Sequence, residues 1–209
     1  MLVVTAVPAE RDAVTRAFAP GLAEVIAAGV GPAAAAAGAA RALALAPYDL
    51  VVSAGIAGGF DVPLASAVLA DAIVAADLGV RTPEGFAPVT SLGFGTDTHV
   101  PPPALVRDLA AATGAATGPL LTVSTVTGTA GRAAELRAAH PGAVAEAMEG
   151  FGVAEAAAQA GVPALELRTV SNAVGPRDRA AWRIGDALAA LTEAFGKTLP
   201  VLEGWHRHD

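Results

Sequence analysis

Three polar side chains stand in apolar surroundings where they could take part in chemistry. Glu10 and Asn172 each follow an apolar run, and Glu149 interrupts a third one. A carboxylate can act as a general base, or it can accept hydrogen bonds from two vicinal hydroxyls at once. A carboxamide both donates and accepts hydrogen bonds with one end group. These residue types predict a pocket for a polar small molecule, with Glu10 as the candidate base.

Each of these residues also has a plainer explanation. Glu10 could be an acidic residue in the first turn of a helix, where the macrodipole favours it. Asn172 could be a turn residue or a helix cap. A solvated surface charge explains Glu149 less well than it explains Glu135 or Glu155, because the neighbours of Glu149 are apolar.

A glycine-rich segment and a pair of arginines are further candidates for ligand contacts. The segment at residues 55–59 predicts a turn after a strand, and backbone N–H groups such as those of Ala57 and Gly58 could approach a ligand there. It lacks a Walker lysine and dinucleotide-binding spacing, so it is no nucleotide-phosphate loop. The alternative to a ligand-contacting segment is a tight turn with no role in binding. Arg177 and Arg179 are typical of a surface loop, with an anion-binding role as the alternative.

The sequence gives no sign of metal chemistry or of a serine nucleophile. Of the 4 histidines, only His206 and His208 are close in sequence, and they lie near the C-terminal end. The chain has 0 cysteines, which excludes disulfides and thiolate metal sites. No Gly-x-Ser-x-Gly elbow is present. We therefore predict no metal and no cofactor.

Composition limits the class of partner. The chain of 209 residues suits one domain, which we assign to residues 1–203, with residues 204–209 as a frayed tail. A net charge of −7 opposes binding to nucleic acid or to an anionic membrane surface. Charged residues, Gly or Pro interrupt every long apolar run, and no signal peptide is expected. We expect a small-molecule partner and a cytoplasmic location.

Alternating apolar runs and helix-forming stretches predict an α/β fold, a single domain with a mixed central sheet flanked by helices on both faces. We expect strands near residues 2–7, 23–28, 49–54, 66–76, 120–126, 143–147 and 164–171. We expect helices near residues 9–18, 33–46, 103–112, 130–139, 151–160 and 180–199. Residues 81–103 predict a long loop that serves as a lid or an interface element. Glu10, Glu149 and Asn172 then fall at strand ends, where open α/β sheets bind ligands.

Several short motifs together resemble the nucleoside phosphorylase-I superfamily, especially its nucleosidase branch, which includes methylthioadenosine/S-adenosylhomocysteine nucleosidase. The motifs cover most of the chain and lie at residues 6–10, 29–33, 55–59, 148–149 and 171–172. The Met-Glu-Gly stretch at residues 148–150 and the run at residues 171–178 are most similar to the branch that hydrolyses futalosine. The resemblance implies a nucleoside phosphorylase-like fold, a nucleoside substrate, cleavage of its N-glycosidic bond and a homo-oligomer.

The resemblance also implies a role for individual residues. Glu10 matches the carboxylate that activates water. Glu149 matches the carboxylate that binds the ribose 2′- and 3′-hydroxyls, with Met148 packing on the sugar. Val126 and Thr127 match the segment that contacts the base through packing and backbone groups.

Asn172 stands where adenine-cleaving relatives have Asp, and this difference bears on the substrate. A carboxamide can donate to a 6-oxo group while its oxygen faces a protonated N7, so Asn172 favours hypoxanthine over adenine. Ile56 and Ser53 occupy the positions of the superfamily's phosphate-contacting serine and arginine, and Glu10 would repel phosphate. Hydrolysis is therefore favoured over phosphorolysis.

The implied substrate is futalosine, whose hydrolysis would place the protein in menaquinone biosynthesis. Futalosine carries a benzoate-bearing chain at its 5′ end, for which Arg177, Arg179 and His99 are the candidate partners. Two alternatives stay open at this point. One is an adenine-releasing nucleosidase acting on methylthioadenosine, S-adenosylhomocysteine or aminodeoxyfutalosine, and the other is a noncatalytic nucleoside-binding or sensor protein.

Overall fold

A mixed sheet of eight strands forms the centre of this computed structural model, which describes residues 1–205. The strands, including the separate hairpin of β5 and β6, are β1 (Leu2–Thr5), β2 (Glu24–Ala27), β3 (Val51–Gly59), β4 (Ala67–Ala75), β5 (Gly79–Thr82), β6 (Gly85–Pro88), β7 (Thr98–His99), β8 (Ala116–Thr122), β9 (Ala145–Ala147) and β10 (Ala164–Ala173). The helices are α1 (Pro8–Thr15), α2 (Pro32–Leu45), α3 (Pro103–Thr113), α4 (Ala130–Ala139), α5 (Gly150–Gln159) and α6 (Ile184–Gly204).

The strand pairing brings several strand ends to one edge of the sheet. Strand β1 pairs in parallel with β2 and β3, and β3 pairs in parallel with β10. Antiparallel pairs join β10 to β4 and β9 to β3, and parallel pairs join β4 to β8 and β8 to β9. Because β1, β3 and β10 run in the same direction, their C-terminal ends lie side by side, as the sequence led us to expect.

Helices cover both faces of the sheet, which confirms the predicted fold class. Alternate residues of β1 point to opposite faces. Leu2 and Val4 pack with α2 and α5, whereas Val3 packs with α1, α3 and α6. Small side chains such as Ala39 and Ala157 let α2 and α5 lie close together. Within the described residues, no helix has both the length and the apolar character needed to cross a membrane.

The glycine-rich segment at residues 55–59 differs from its prediction, because it is the second half of β3 and not a turn. Its residues pair with β10, and Gly58 and Gly59 also pair with β9. Glycine is a weak strand former by itself, and these pairings, made with residues far away in the sequence, override that local preference.

Three other regions depart from the expected boundaries. Residues 81–103, predicted as a loop, contain most of the β5–β6 hairpin, a short 3-10 helix (Val89–Leu92) and β7. Strand β8 begins and ends about four residues before the predicted 120–126 segment. Helix α6 extends to Gly204, and Trp205 packs against the core. The rest of the predicted frayed tail, residues 206–209, lies outside the described residues.

Candidate active site

The Glu10 carboxylate lies between the residues that follow β1 and the middle of β3. Helix α1 begins at Pro8 directly after β1, and the Glu10 side chain turns back and is only 4% exposed. Its Oε2 accepts hydrogen bonds from the backbone N–H groups of Ala6 (3.0 Å) and Val7 (3.2 Å), and its Oε1 accepts one from Ile56 (2.9 Å). Glu10 is therefore a held, buried carboxylate and not only a helix-terminal charge.

The glycine at position 55 is required by the close approach of Glu10 to β3. A Cβ atom at Gly55 would collide with Glu10 Oε1, and it would lie 2.8 Å from Arg168 Nη1. Any side chain at this position would push Glu10 or Arg168 out of place.

A buried arginine that the sequence analysis did not single out lies at the centre of the site. Arg168, on β10, is 1% exposed. Its Nη1 lies 3.2 Å from Glu149 Oε2, and its Nε donates to Glu166 Oε1 at 2.9 Å. Its Nη2 donates to Ser53 Oγ at 3.0 Å. The only signal in the sequence was a pair of charged residues, Glu166 and Arg168, inside an otherwise apolar strand.

The acidic neighbours keep Arg168 charged. Burial alone would lower the pKa of the Arg168 guanidinium, but the carboxylates of Glu166, Glu149 and Glu10 outweigh burial and raise that pKa. Burial raises the pKa of Glu166, and the attraction of Arg168 offsets this only in part. Glu166 Oε2 is buried without a hydrogen-bond partner. The guanidinium thus serves as the counter-charge for more than one carboxylate.

Glu149 links Arg168 to the start of α2. It lies between β9 and α5 and is 5% exposed. Its Oε1 accepts from the backbone N–H of Gly31 at 3.0 Å, at the N-terminal end of α2, where the helix dipole favours a negative charge. With Oε2 at Arg168, the carboxylate is fixed at both oxygens, and the preceding Met148 is partly buried.

A bulge in β10 sets the orientation of the Asn172 side chain. The register of β10 against β3 shifts between Val170 and Asn172, and such a bulge re-aims the side chains next to it. Asn172 Oδ1 accepts from Ser171 Oγ at 2.8 Å, and Nδ2 donates to the carbonyl of Ala173 at 3.0 Å. A Cβ at Gly58 would lie 3.2 Å from Asn172 Nδ2, so the glycine leaves room for the carboxamide.

One pocket next to Asn172 gathers most of the predicted base-side residues. Its lining includes the predicted residues Gly58, Val126, Thr127 and Asn172, together with Arg177, which was predicted to contact the substrate carboxylate and not the base. Two residues that the sequence analysis did not predict, Glu146 and Trp182, line it as well. The predicted residue Ala57 does not line this pocket, and its carbonyl instead accepts from Ser171 Oγ at 3.2 Å.

The three candidates for a substrate carboxylate do not form one cluster of contacts. The guanidinium carbons of Arg177 and Arg179 lie 6.0 Å and 5.9 Å from the centre of the Trp182 ring. His99 instead lies 2.9 Å from Glu155 Oε2. A carboxylate next to His99 would repel a second carboxylate, which favours the two arginines for this role. Among residues 1–205, no group of three or more His, Asp or Glu residues could hold a metal ion.

Comparisons with known proteins identify the family of this chain. The family model of the phosphorylase superfamily matches residues 10–199. Futalosine hydrolase of Streptomyces coelicolor is 64% identical, and the match covers 100% of this chain and 99% of that protein. Futalosine hydrolase of Acidothermus cellulolyticus is 46% identical over 93% of this chain and 88% of that protein.

A solved structure extends the likeness to the fold. The methylthioadenosine/S-adenosylhomocysteine nucleosidase of Colwellia psychrerythraea 34H, in complex with adenine, superposes with a TM-score of 0.82 at 20% identity. That superposition covers 95% of this chain and 93% of the other. The chain therefore belongs to the phosphorylase superfamily and, within it, to the futalosine hydrolase family of N-glycosyl hydrolases.

Proposed function

We propose that this enzyme hydrolyses the N-glycosidic bond of futalosine and releases hypoxanthine and dehypoxanthine futalosine, a step of menaquinone biosynthesis. The observation that carries the proposal is Asn172, held by Ser171 at the edge of the pocket next to β10. The identity to futalosine hydrolases of two organisms supports the same reaction.

Glu10 is the proposed base that polarises the attacking water. Cleavage of the bond builds positive charge on the ribose and negative charge on the departing base. A carboxylate has about four acceptor sites, and three of those on Glu10 hold backbone N–H groups. About one site remains for a water molecule, and the three bonds fix the direction of that site. A positioned base of this kind contributes about 10²–10⁴-fold to the rate.

The sugar is proposed to bind at Glu149. Its carboxylate would accept hydrogen bonds from the ribose 2′- and 3′-hydroxyls, with Met148 packing on the sugar ring. Arg168 and the N–H of Gly31 hold the carboxylate from the protein side, so its orientation is set before the substrate arrives. Arg168 is in this account a positioning residue for Glu149.

The environment of Glu10 supports water over phosphate as the nucleophile. The backbone N–H groups of Ala6, Val7 and Ile56 form a cluster of donors that would suit an anion, and the Glu10 carboxylate already occupies it. Ser53 is 1% exposed, with its Oγ accepting from Arg168, so its hydroxyl is not accessible to a phosphate. A bound phosphate would also be repelled by Glu10.

The carboxamide of Asn172 supports a 6-oxopurine as the leaving base. One N–H of Nδ2 is bonded to the Ala173 carbonyl, which leaves the second N–H for the 6-oxo group. Oδ1 keeps acceptor capacity beside Ser171 Oγ and would accept from a protonated N7. A 6-amino group would face an N–H donor instead, at a cost of about 1–3 kcal/mol.

The remaining parts of the proposal concern the 5′ end and the assembly. We assign the 5′ aryl carboxylate of futalosine to Arg177 or Arg179. Substitution of both by Gln is expected to raise KM for futalosine more than KM for inosine, which lacks this carboxylate, although Arg177 also lines the base pocket. An unchanged KM would remove this assignment. A homo-oligomer in which residues 81–103 reach a neighbouring subunit is also proposed. The cytoplasmic location, the absence of a metal and cofactor, and the 1–203 domain boundary stay predictions.

The test of the proposed function is a comparison of substrates. The wild-type enzyme is incubated with futalosine, aminodeoxyfutalosine, inosine and methylthioadenosine, and the released base is identified by HPLC. We expect hypoxanthine from futalosine at the highest kcat/KM. Release of adenine alone would assign the enzyme to the adenine-releasing nucleosidases, and no release from any of the four would favour a binding protein.

A further inference from the structure

A second buried carboxylate lies in the base pocket, at a position that none of the roles above uses. Glu146, on β9, is 5% exposed and lines the same pocket as Asn172. Its Oε1 accepts from the backbone N–H of Thr127 at 2.8 Å, and its Oε2 accepts from Thr127 Oγ1 at 2.5 Å. Both of these donors are uncharged, so the negative charge of Glu146 faces the pocket without a cation bonded to it in these contacts.

Glu146 retains hydrogen-bonding capacity for a ligand. An ionised carboxylate has about four acceptor sites and no donor, and Thr127 fills two of them. A buried carboxylate with open acceptor sites is costly unless a donor completes it. Because Glu146 lines the pocket, a base bound next to Asn172 is in a position to supply that donor.

The two purines differ in what they would offer to Glu146. A 6-oxopurine such as hypoxanthine carries a hydrogen on N1, next to the 6-oxo group, and therefore donates there. In adenine, N1 has a lone pair and needs a donor. The N–H of Thr127 would be such a donor, but it is already bonded to Glu146. The pocket therefore presents an acceptor where hypoxanthine donates and where adenine also accepts.

We infer that Glu146 is a specificity-determining residue that accepts a hydrogen bond from the N1–H of the departing 6-oxopurine. Asn172 and Glu146 then recognise different parts of the base, Asn172 the 6-oxo group and N7, and Glu146 the N1–H. The inference rests on the proposed release of hypoxanthine and extends it, because Asn172 alone would make no hydrogen bond to the N1–H of the base. Glu146 also positions Thr127, and the test must separate these two roles.

The experiment measures binding of free bases by isothermal titration calorimetry. Hypoxanthine, adenine and 1-methylhypoxanthine are titrated into the wild type, into Glu146→Gln and into the control Glu135→Gln, which changes a carboxylate on α4 that is 61% exposed. The Gln side chain keeps the shape of Glu146 and one acceptor for Thr127, but its amide nitrogen can donate to N1 of adenine. In parallel, futalosine turnover is measured for all three proteins.

We expect the wild type and Glu135→Gln to prefer hypoxanthine over adenine, and Glu146→Gln to reduce this preference by about 10- to 100-fold. If Glu146 only positioned Thr127, both bases would lose affinity equally, and an unchanged preference would overturn the inference. If Glu146→Gln does not fold, binding of 1-methylhypoxanthine to the wild type decides. An affinity about 10-fold or more below that of hypoxanthine supports the inference, because the methyl group replaces the N1–H. An affinity within about 2-fold of that of hypoxanthine overturns it. If the wild type hydrolyses futalosine and Glu146→Gln keeps the wild-type preference between the bases, the role of Glu146 is rejected and the proposed function stands. If the wild type does not hydrolyse futalosine, the proposed function itself is rejected.

Discussion

Replacement of Arg168 by methionine tests the charge cluster on which the site depends. The guanidinium is 1% exposed and lies 3.2 Å from Glu149 Oε2 and 2.9 Å from Glu166 Oε1. Removal of one partner from a buried ion pair costs about 3–5 kcal/mol in the free energy of unfolding. For a protein of this size, about 1 kcal/mol shifts Tm by 2–4 °C. The expected fall in Tm at pH 7 is therefore about 6–20 °C.

The loss of stability should depend on pH in a defined direction. Burial already raises the pKa of Glu166 in the folded protein, and loss of the guanidinium removes the attraction that opposes this. A carboxyl group with a raised folded-state pKa holds its proton more tightly in the folded than in the unfolded chain. Ionisation of such a group lowers the free energy of unfolding. This loss is absent below the unfolded-state pKa of about 4.3, and it grows as pH rises through and above that value. The Tm deficit of Arg168→Met should therefore shrink between pH 7 and pH 4.

Thermal unfolding followed by circular dichroism at pH 7, 5 and 4 measures both effects. The matched control is Arg107→Met, whose side chain is 73% exposed and pairs with Asp108. An exposed pair contributes at most about 1 kcal/mol, so this control should melt within a few degrees of the wild type. A Tm for Arg168→Met within about 2 °C of the wild type at pH 7, or a deficit that grows on acidification, would refute the role given to the cluster.

Three further substitutions test the groups around the reacting bond. Glu10→Gln should lower kcat by about 10²–10⁴-fold while hypoxanthine binding stays within about 3-fold, and near-normal turnover would exclude Glu10 as the base. Gly55→Ala should abolish most activity, because its Cβ collides with Glu10, and should cost about 1–3 kcal/mol of stability. Gly131→Ala, where nothing lies within 4 Å of the added atom, is its control, and equal effects would contradict the steric argument. Asn172→Asp should lower kcat/KM for futalosine by about 10- to 200-fold and raise it for aminodeoxyfutalosine, and parallel losses on both substrates would count against base selection by this residue.

The convergence of the site at one sheet edge could be predicted from the sequence. Apolar runs followed by polar residues marked the ends of β1 and β10, and parallel strands bring such ends together. The residue types of Glu10 and Asn172 then limited the chemistry. The local sequence pattern was sufficient to locate these side chains, because each of them lies at or directly after the strand that positions it.

Other parts of the site depend on contacts between residues far apart in the sequence, which a local pattern does not contain. The glycines of β3 are a strand only because β10 and β9 pair with them. The partners of Arg168 include Ser53 and Glu149, which are far from it in the sequence, and the cost of burying the guanidinium is offset by these residues together with Glu166 and Glu10. Glu146 was not predicted as a site residue, because its hydrogen bonds to Thr127 and its place in the pocket exist only in the folded chain.

The most direct test of the central claim is futalosine turnover in buffer with and without phosphate. Purified wild-type enzyme is incubated with futalosine, and both products are quantified by HPLC and mass spectrometry. We predict equal amounts of hypoxanthine and dehypoxanthine futalosine, at a rate that phosphate does not increase. Release that requires phosphate and yields a sugar 1-phosphate, or the absence of hypoxanthine, would contradict it.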